Sequence, residues 1–519
     1  MKIVGFQSGH DVAYCILENG IPILHEELER FSRRKMEVGD GLKFFFSRFS
    51  ENTNDIKYFT FGNLNGRTGK WQSRCGEKES DDKMKKILRE NHGSFYEFPH
   101  HLCHAANAFF TSSFDRSLII TLDGGGFEAD DSVTSFTISE GIGNKIKRIK
   151  VFPISEIDFG GLWNDATKNI FSLSVGPPKG SQEGTVMAMV ALGEPKYLNL
   201  FNPYRRSKLH SIANLSEQEK FNVATSLQKF TEDTFLNYVS KYIKKSGHEN
   251  ICFSGGVSLN SVMLGKLKSW FPQIKNVFCD PVPYDAGLAL GSARYLWHHV
   301  LEYPRIKDIK NMPPYLGKIY LKKDIKSACK SYINKIKVKK VDDDKVVKLI
   351  DDQKIVSVFG GGSESGRRAL GNRSILADPR NPEMKKIINE KVKHREWFRP
   401  FAPSILEEKV TDWFEDNYKS PYMSFAVKFK KEKRNQVPAV VHYDGTGRLQ
   451  TVNEVLSPWY YNFIKKWELI SGVPILLNTS FNDSEPIVET PEDAIRCFLG
   501  TQIDYLYFFD YGLLVEKLI

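Results

Sequence analysis

Cysteine is scarce in this chain, which has 7 cysteines among 519 residues. No two of them form a Cys-x-x-Cys pair, so the sequence lacks the ligand spacing of a zinc ribbon and the dense cysteine pattern of a disulfide-rich secreted domain. We therefore expect reduced thiols, most of them packed in the protein interior.

Long apolar stretches are absent as well. The apolar run within residues 1–10 is too short for a signal peptide, and no later stretch is long enough to span a bilayer. Low-complexity tracts are also missing, and the composition, 41% hydrophobic and 26% charged, is ordinary for a folded protein. These absences predict a cytoplasmic globular protein with no membrane partner.

The length of the chain limits its domain organisation, and its charge limits the partners it can have. A chain of 519 residues exceeds what one hydrophobic core usually organises, which predicts two or three domains. The formal net charge of +10 suggests a polyanionic partner, because clustered lysines bind a nucleic acid with release of its counterions. A lysine-rich surface without a special function would give the same excess, and both interpretations stay open.

Four predicted strands end at a turn that contains glycine or a polar side chain. These junctions follow residues 2–6, 117–122, 251–254 and 277–280. Turns at strand ends hold ligands in α/β folds, so the pattern predicts an α/β protein with binding residues at these places. The pair Asn19-Gly20 in addition predicts a type I′ hairpin.

Residues 304–340 are rich in proline and lysine, which predicts a connector without regular structure. We place the domain boundary near residue 315, which gives domains of residues 1–315 and 316–519. Beyond the boundary, the apolar pattern predicts a helix over residues 345–350 and a strand over residues 355–359.

A candidate metal site begins at His100 and His104. They are four residues apart in an alanine-rich predicted helix and therefore share one face. Neutral imidazoles together with the carboxylates of Asp123 and Asp285, at two of the strand ends, would suit Fe, Zn or Mn. A His-x-x-x-His pair alone is more often structural, and that alternative stays open. His101, off the shared face, is expected to pack or to support the ligands.

A second candidate site lies in the basic segment of residues 364–404. Its arginines and lysines alternate with Gly, Pro and aromatic residues, a spacing that fits no amphipathic helix. Forked arginine donors with a lysine charge are what a phosphate group requires, so the segment predicts an anion site. The alternative is a basic surface that binds nothing in particular.

Motifs of one known family occur in family order along nearly the whole chain. They are His10–Asp11, Glu26–Lys35, His100–Phe110, Asp123–Gly125, Gly255–Asn260, Asp285–Gly291, Arg368–Arg380, Phe398–Ser404, Asp444–Gln450 and Leu477–Asn482. On these motifs the chain resembles the NodU/CmcH-type O-carbamoyltransferases. It departs from the family pattern at Ser365, Arg367, Trp397 and residues 190–193, which weakens any inference about the acceptor.

The resemblance implies an α/β fold in two parts. The N-terminal domain would have the actin/hexokinase-like (ASKHA) fold, similar to the threonylcarbamoyl transferases, and the C-terminal domain a YrdC/Sua-like α/β fold. The C-terminal domain would form carbamoyl-adenylate from carbamoyl phosphate and ATP with Mg²⁺. The N-terminal domain would pass the carbamoyl group to a hydroxyl, with Fe²⁺ or another divalent metal as cofactor.

The resemblance also implies roles for particular residues. The metal ligands would be His100, His104, Asp123 and Asp285. Carbamoyl phosphate and nucleotide phosphates would be bound by Arg368, Lys393, Arg399, Arg448, Asn478, Ser480 and Asn482. The nucleotide would be bordered by Gly124, Gly125, Gly255, Gly256 and Asn260. His10 would deprotonate or orient the acceptor hydroxyl, and Lys35 would steady charge near the leaving AMP.

The resemblance implies several classes of acceptor, and among them the basic excess favours DNA. In the family, that acceptor is the 5-hydroxymethyl group of 5-hydroxymethylcytosine, which implies a phage-encoded enzyme acting in the host cytoplasm. The alternatives are a small-molecule hydroxyl of a natural product such as an antibiotic, a toxin or a Nod factor, and a tRNA threonylcarbamoyl-type modification. A non-catalytic nucleotide-binding module and a homodimeric state also stay open.

Overall fold

The computed structural model describes residues 1–50, 53–63, 78–128, 132–201, 209, 214–307 and 314–518. The chain forms two compact units, Met1–Met312 and Pro313–Ile519, which are called unit 1 and unit 2 below. The sequence places the domain boundary near residue 315. Residues 308–313, which belong to the predicted connector, and Cys75 lie outside the described residues.

Unit 1 has mixed α/β structure. Its strands are β1 Lys2–Gln7, β2 Ala13–Glu18, β3 Ile21–Glu27, β4 Ile56–Phe61, β5 Ser94–Glu97, β6 Arg116–Phe127, β7 Val133–Ile142, β8 Lys145–Pro153, β9 Val175–Gly176, β10 Gly180–Ser181, β11 Asn250–Ser254 and β12 Asn276–Cys279. Its α-helices are α1 Leu28–Ser32, α2 Gly41–Arg48, α3 Lys78–Glu90, α4 His100–Thr111, α5 Phe159–Asp165, α6 Glu183–Met189, α7 Glu217–Ser246, α8 Ser261–Leu264, α9 Leu267–Trp270 and α10 Gly287–Arg294.

Two five-stranded sheets organise unit 1. The first has the order β3-β2-β1-β4-β5, in which β1 is antiparallel to β2 and parallel to β4. The second has the order β12-β11-β6-β7-β8, in which β6, β11 and β12 run parallel. Asn19 and Gly20 join β2 to β3 with positive φ angles of 48° and 85°, as a type I′ turn requires, so the predicted hairpin is confirmed.

Close packing around α10 brings the candidate metal ligands towards one another. A Cβ on Gly291 would lie 2.1 Å from the carbonyl oxygen of Cys103 on α4. A Cβ on Gly5 would lie 2.0 Å from the carbonyl oxygen of Ala289 on α10. Because these two glycines lack a side chain, α10 lies directly against α4 and β1, and the loop before α10 reaches the start of α4.

Strand β6 differs from its prediction. The sequence suggests a strand that ends at Asp123, but the strand continues through the three following glycines to Phe127. Its pairing with β7 is irregular between Leu122 and Gly126, which marks a β-bulge. The glycines permit this bulge, since Gly125 has a φ of 134° that side-chain-bearing residues rarely adopt.

Unit 2 is built on one nine-stranded sheet. Its strands are β13 Ile336–Lys340, β14 Val356–Phe359, β15 Arg373–Ala377, β16 Ala402–Leu406, β17 Phe425–Lys428, β18 Thr446–Val452, β19 Ile475–Ser480, β20 Tyr505–Phe508 and β21 Leu513–Lys517. Its α-helices are α11 Lys322–Ser331, α12 Asp343–Asp351, α13 Met384–Lys391, α14 Val410–Trp413, α15 Pro458–Ser471 and α16 Pro491–Gly500. The strand order is β13-β21-β20-β14-β15-β19-β16-β18-β17, with parallel and antiparallel pairs.

The predicted connector over residues 304–340 is wrong in its second half, where α11 and β13 lie. The buried residues Ile325 and Ala328 anchor α11, although lysines surround them. Strand β13 has four exposed residues out of five and is held by antiparallel pairing with β21, near the end of the chain. A pairing partner so far along the sequence gives no local signal, which is why the segment was expected to be irregular.

The interior agrees with the expectations for cysteine. Six cysteines lie among the described residues, and five of them are buried. In the same part of the chain, no helix is both long enough and apolar enough to cross a membrane.

Candidate metal and anion sites

Four side chains converge in the interior of unit 1. Helix α4 supplies His100 and His104 on one face, β6 supplies Asp123 from its bulge, and the loop before α10 supplies Asp285. All four residues are buried, and one potential ligand atom from each lies within 4.8 Å of the others. The structure therefore brings together the residues that the sequence singled out as metal ligands.

The distances show how tightly these four groups face one another. His100 Nε2 lies 2.8 Å from Asp123 Oδ2 and 3.1 Å from His104 Nε2. His104 Nε2 is 3.5 Å from the same Asp123 oxygen, and Asp285 Oδ1 is 3.7 Å from each imidazole Nε2. Two ring nitrogens and two carboxylate oxygens thus point into one small volume.

Electrostatic coupling within this cluster is strong. Burial opposes the charge of His104, but the neighbouring carboxylates of Asp123 and Asp285 raise its pKa to about 9. Burial likewise opposes the charge of Asp123, but its hydrogen bonds to His100 and His104 hold its pKa well below the ordinary value. Without a cation, protons must separate these lone pairs from one another. A divalent cation would take the place of those protons, and the donor set suits Fe, Zn or Mn.

Neighbouring residues fix the ligands in this arrangement. A Cβ on Gly126 would lie 2.1 Å from Cγ of His100, so the glycine makes room for that imidazole. The backbone N–H of Gly256 donates to Asp123 Oδ1 over 3.0 Å, which leaves Oδ2 for the histidines. Ser254 Oγ lies 3.4 Å from His104 Nδ1, on the ring edge that faces away from the cluster. Supported ligands of this kind are typical of metal sites.

His101 supports the cluster without joining it. Its Nε2 donates to the carbonyl of Thr134 over 2.8 Å, and its Nδ1 therefore accepts from the Thr121 hydroxyl over 2.7 Å. Burial, and then the neighbouring His100, lower the pKa of His101 well below its usual value. A neutral ring with both nitrogens occupied fits the supporting role that the sequence predicted.

His10 borders the cluster from the turn after β1. Its Nε2 lies 3.5 Å from Asp285 Oδ2 and its Nδ1 lies 3.1 Å from Asp11 Oδ2, while 55% of its side chain is exposed. The carboxylate of Asp285 raises the pKa of His10 above its usual value. An imidazole held between two carboxylates at the edge of the cluster can contact a hydroxyl that enters from solvent.

The other residues predicted for unit 1 have structural contacts. The backbone of Lys35 pairs with that of Lys179 in a single parallel β-bridge. The role of Lys35 near AMP stays a prediction. Gly255 has a φ of 91°, and a Cβ there would lie 2.1 Å from the carbonyl oxygen of Leu122. Gly124 has open space around its Cβ position. Asn260 caps α8, because its Oδ1 accepts a hydrogen bond from Met263 N over 3.0 Å. Its Nδ2 donates to Gln228 over 2.8 Å, so both polar atoms of the side chain have protein partners.

A cluster of arginines forms the candidate anion site of unit 2. It comprises Arg448 on β18, Arg368 in the loop after β14, and Arg395 and Arg399 after α13, and is called the arginine cluster below. Burial, followed by the charges of the other three arginines, lowers the pKa of Arg448 well below its usual value. Burial lowers the pKa of Arg395 and of Arg399 as well. Cations that destabilise one another's charge in this way are stabilised by an anion.

Lys393 is a further buried cation of unit 2. Its ammonium donates to Asn482 Oδ1 at 2.7 Å, to Asn482 O at 2.8 Å and to Ser480 Oγ at 3.3 Å. The structure thus brings together three residues that the sequence assigned to phosphate binding. Asn478, the fourth polar residue of that group, donates to Ser404 and Gln450, while its Oδ1 has no hydrogen-bond partner among the described residues.

Two arginines of the basic segment bind the protein itself. Arg373 is fully buried, and its guanidinium donates to the carbonyl oxygen of Gly360 over 2.6 Å and stacks 3.6 Å from the Phe359 ring centroid. Arg380 forms ion pairs with Asp351 and Asp378 at 2.7 Å. The expectation that the cations of this segment hold an anion is therefore wrong for these two.

Sequence reasoning missed Arg395 as a member of the arginine cluster. Its charge adds to the burial that lowers the pKa of Arg448. Burial, together with the charge of Arg395, lowers the pKa of Lys385 to about 8. The available signal for Arg395 was its position four residues before Arg399 in a segment already singled out for its cations. Ser254, beside His104, was also missed, although it directly precedes a predicted glycine turn.

Comparison with known proteins adds a family to this geometry. A family model described as "Carbamoyltransferase C-terminus" matches residues 347–516, and one described as "Carbamoyltransferase N-terminus" matches residues 77–204 and 198–294. An uncharacterized protein of Synechocystis is 34% identical over 78% of this chain and 74% of its own length. The nodulation protein NolO of Bradyrhizobium diazoefficiens is 32% identical over 78% of this chain and 77% of its own length.

Solved structures are more distant. HypF of T. kodakarensis is 10% identical, covers 59% of this chain and 49% of its own chain, and has a TM-score of 0.36. A likeness at that level supports no inference about this chain.

Proposed function

This chain belongs to the carbamoyltransferase family, and from that premise we propose that it forms carbamoyl-adenylate in unit 2 and transfers the carbamoyl group to a hydroxyl in unit 1. The proposed folds follow the same division. Unit 1 would be an actin/hexokinase-like domain and unit 2 a YrdC/Sua-like domain.

The arginine cluster is the observation that carries this proposal. Three segments of unit 2 supply its four guanidinium groups, and the charges of the other three add to the burial that lowers the pKa of Arg448. Among the described residues, Arg448 Nε has no hydrogen-bond partner. Carbamoyl phosphate and ATP together bring several phosphate groups, and each can accept forked hydrogen bonds from arginine.

The proposed reaction in unit 2 has two steps. Water first cleaves the bond between the carbamoyl carbon and the phosphate oxygen, which gives carbamate and inorganic phosphate. A carbamate oxygen then attacks the α-phosphorus of ATP and displaces pyrophosphate, which leaves carbamoyl-adenylate. The arginine cluster would bind the charges of both anions, and Lys393 beside Ser480 and Asn482 would add a further cationic contact.

The proposed transfer step uses the cluster of unit 1. His100, His104, Asp123 and Asp285 would hold a divalent cation, such as Fe²⁺, which supplies a Lewis acid for the carbamoyl or phosphate oxygens. His10 would orient the acceptor hydroxyl at the edge of the cluster, 3.5 Å from Asp285. The hydroxyl oxygen attacks the carbamoyl carbon, its proton passes to solvent water, and AMP departs with the electrons of the broken C–O bond.

The first test looks for the intermediate. The wild-type protein is incubated with ATP, Mg²⁺ and carbamoyl phosphate, and the products are separated and weighed by mass spectrometry. We expect carbamoyl-adenylate and pyrophosphate only when carbamoyl phosphate is present. The change Arg368→Ala should abolish both products, whereas Lys419→Ala, which removes a cation with 80% of its side chain exposed, should not. Pyrophosphate release that ignores carbamoyl phosphate would refute the proposal.

For the acceptor we propose DNA that contains 5-hydroxymethylcytosine. The formal net charge of +10 supports this choice, because a duplex is bound largely through its phosphates. Incubation of the protein with ATP, carbamoyl phosphate, ferrous iron and such DNA, followed by mass spectrometry of the nucleosides, should show the mass of one added carbamoyl group on that base. An unmodified base, with carbamoyl-adenylate still formed, would assign the enzyme to a small-molecule hydroxyl instead.

A further inference from the structure

Two exposed aromatic side chains lie close in sequence to arginines of the cluster, since Trp397 stands between Arg395 and Arg399 and Tyr443 shortly precedes Arg448. Trp397 is 46% exposed and Tyr443 is 54% exposed, although both are large hydrophobic residues. Their ring centroids are 5.8 Å apart and their planes meet at 82°, which is an edge-to-face contact. Both side chains keep part of their ring surface in contact with solvent.

The backbone that carries Trp397 is held rigidly. Asn389, fully buried on α13, donates to the carbonyl oxygen of Trp397 over 3.2 Å and to that of Arg399 over 3.0 Å. The same side chain accepts from Arg395 Nε over 2.8 Å. One buried amide thus fixes Trp397 together with the two arginines that flank it at a spacing of two residues.

Tyr443 is fixed from the other side. It lies in the turn before β18, in which His442 N donates to Thr446 O over 2.7 Å and Gly445 N donates to His442 O over 2.9 Å. The ammonium of Lys385 lies 4.0 Å from the centroid of the Tyr443 ring. The exposed aromatic rings therefore belong to ordered segments and adjoin cations, which is unlike an isolated apolar residue on the surface.

We propose that Trp397 and Tyr443 bind the purine base of the nucleotide whose phosphates occupy the arginine cluster. A nucleotide joins a flat aromatic base to a chain of anionic phosphates, and Trp397 likewise lies two residues from each of two arginines of the cluster, Arg395 and Arg399. The inference rests on the proposed function, which supplies the nucleotide, and goes beyond it in naming how the base is held. Stacking of a base on an aromatic side chain is typically worth about 1–3 kcal/mol.

The test separates base recognition from phosphate recognition. Binding of Mg²⁺-ATP and of inorganic tripolyphosphate is measured by titration calorimetry for the wild-type protein and for Trp397→Ala, Trp397→Phe and Tyr443→Ala. We expect Trp397→Ala to raise the dissociation constant for ATP by roughly tenfold, the lower to middle part of the range for one stacked base. The affinity of Trp397→Ala for tripolyphosphate should not change, and Trp397→Phe should recover most of the lost affinity for ATP. Leu469→Ala, at an apolar residue that is 86% exposed, should change neither affinity.

Several outcomes would overturn the inference. Equal weakening of ATP and tripolyphosphate in Trp397→Ala would show a structural role for the indole, and unchanged ATP binding in both alanine variants would show no role. If the wild-type protein binds tripolyphosphate as tightly as ATP, the base is not recognised. If it binds neither, the proposed function fails as well, so the two failures are distinguishable.

Discussion

Individual side chains determine which cations of unit 2 hold the protein together and which can bind a ligand. Arg373 is fully buried against the carbonyl oxygen of Gly360 and the ring of Phe359, so its hydrogen bonds are used within the fold. Arg448, by contrast, faces three other arginines whose charges lower its pKa. The two residues are both arginines near strand ends, yet only Arg448 gains from an added anion.

Replacement of Arg373 should therefore affect stability. The change Arg373→Met would leave buried carbonyl oxygens without a donor, at a cost of about 2–4 kcal/mol. We expect the melting temperature of the unit 2 transition to fall by roughly 5–15 °C, measured by circular dichroism. Lys419→Met removes one cation at an exposed position and should leave the transition within about 1 °C. An unchanged transition in Arg373→Met would contradict the structural role.

His104 is the residue whose removal should most directly empty the candidate metal site. Its Nε2 is 3.5 Å from Asp123 and 3.7 Å from Asp285, and its ring is completely buried. After reconstitution with ferrous iron and desalting, His104→Gln should retain at least about tenfold less metal than the wild-type protein, measured by mass spectrometry of the elements. His394→Gln, at an exposed histidine of unit 2, is the matched control. Equal metal in the wild type and His104→Gln would refute the site.

At the scale of elements, the bulge in β6 connects the fold to the metal cluster. It turns Asp123 towards α4 and places Gly126 against the ring of His100, where no side chain fits. Gly124, two residues earlier in the same bulge, has open space at its Cβ position. A side chain would therefore affect the cluster at Gly126 but not at Gly124, although only one residue separates the two glycines.

This difference gives a paired prediction. Gly126→Ala should displace His100, because the new Cβ would lie 2.1 Å from Cγ of that ring, and the variant should lose most of its iron. Gly124→Ala should keep its iron, since nothing lies within 4 Å of the new Cβ. Metal content and the far-ultraviolet circular dichroism spectrum are measured for both variants. Full retention of iron in Gly126→Ala would show that the close packing of His100 does not matter for the site.

Local elements could be predicted from the sequence, and elements with distant partners could not. Helix α4 and the hairpin at Asn19-Gly20 follow from residues within a few positions of one another. Strand β13, which pairs with β21 at the other end of unit 2, was expected to be a connector. The same limit applies to the continuation of β6 beyond Asp123, because that continuation depends on pairing with β7.

At the scale of the whole molecule, the residues that define both sites come from segments far apart in the chain. Asp285 meets His100 and His104 across more than 180 positions, and the sequence indicated this meeting through the strand-end position of Asp285 and through a family resemblance. The arginine cluster was found only in part, since Arg395 was missed and Arg373 and Arg380 proved structural. The order of strands in the nine-stranded sheet decides which arginines meet, and no local pattern records that order.

Under the proposed function, unit 2 forms the adenylate and unit 1 transfers the carbamoyl group. The most direct test is the exchange of labelled pyrophosphate into ATP, measured with and without carbamoyl phosphate for the wild type, His104→Gln and Arg399→Ala. We expect exchange that depends on carbamoyl phosphate in the wild type and in His104→Gln, and at least about a hundredfold less exchange in Arg399→Ala, since the arginine would bind the charged reactants. Exchange that persists in Arg399→Ala, or that disappears in His104→Gln while its circular dichroism spectrum is unchanged, would contradict this assignment.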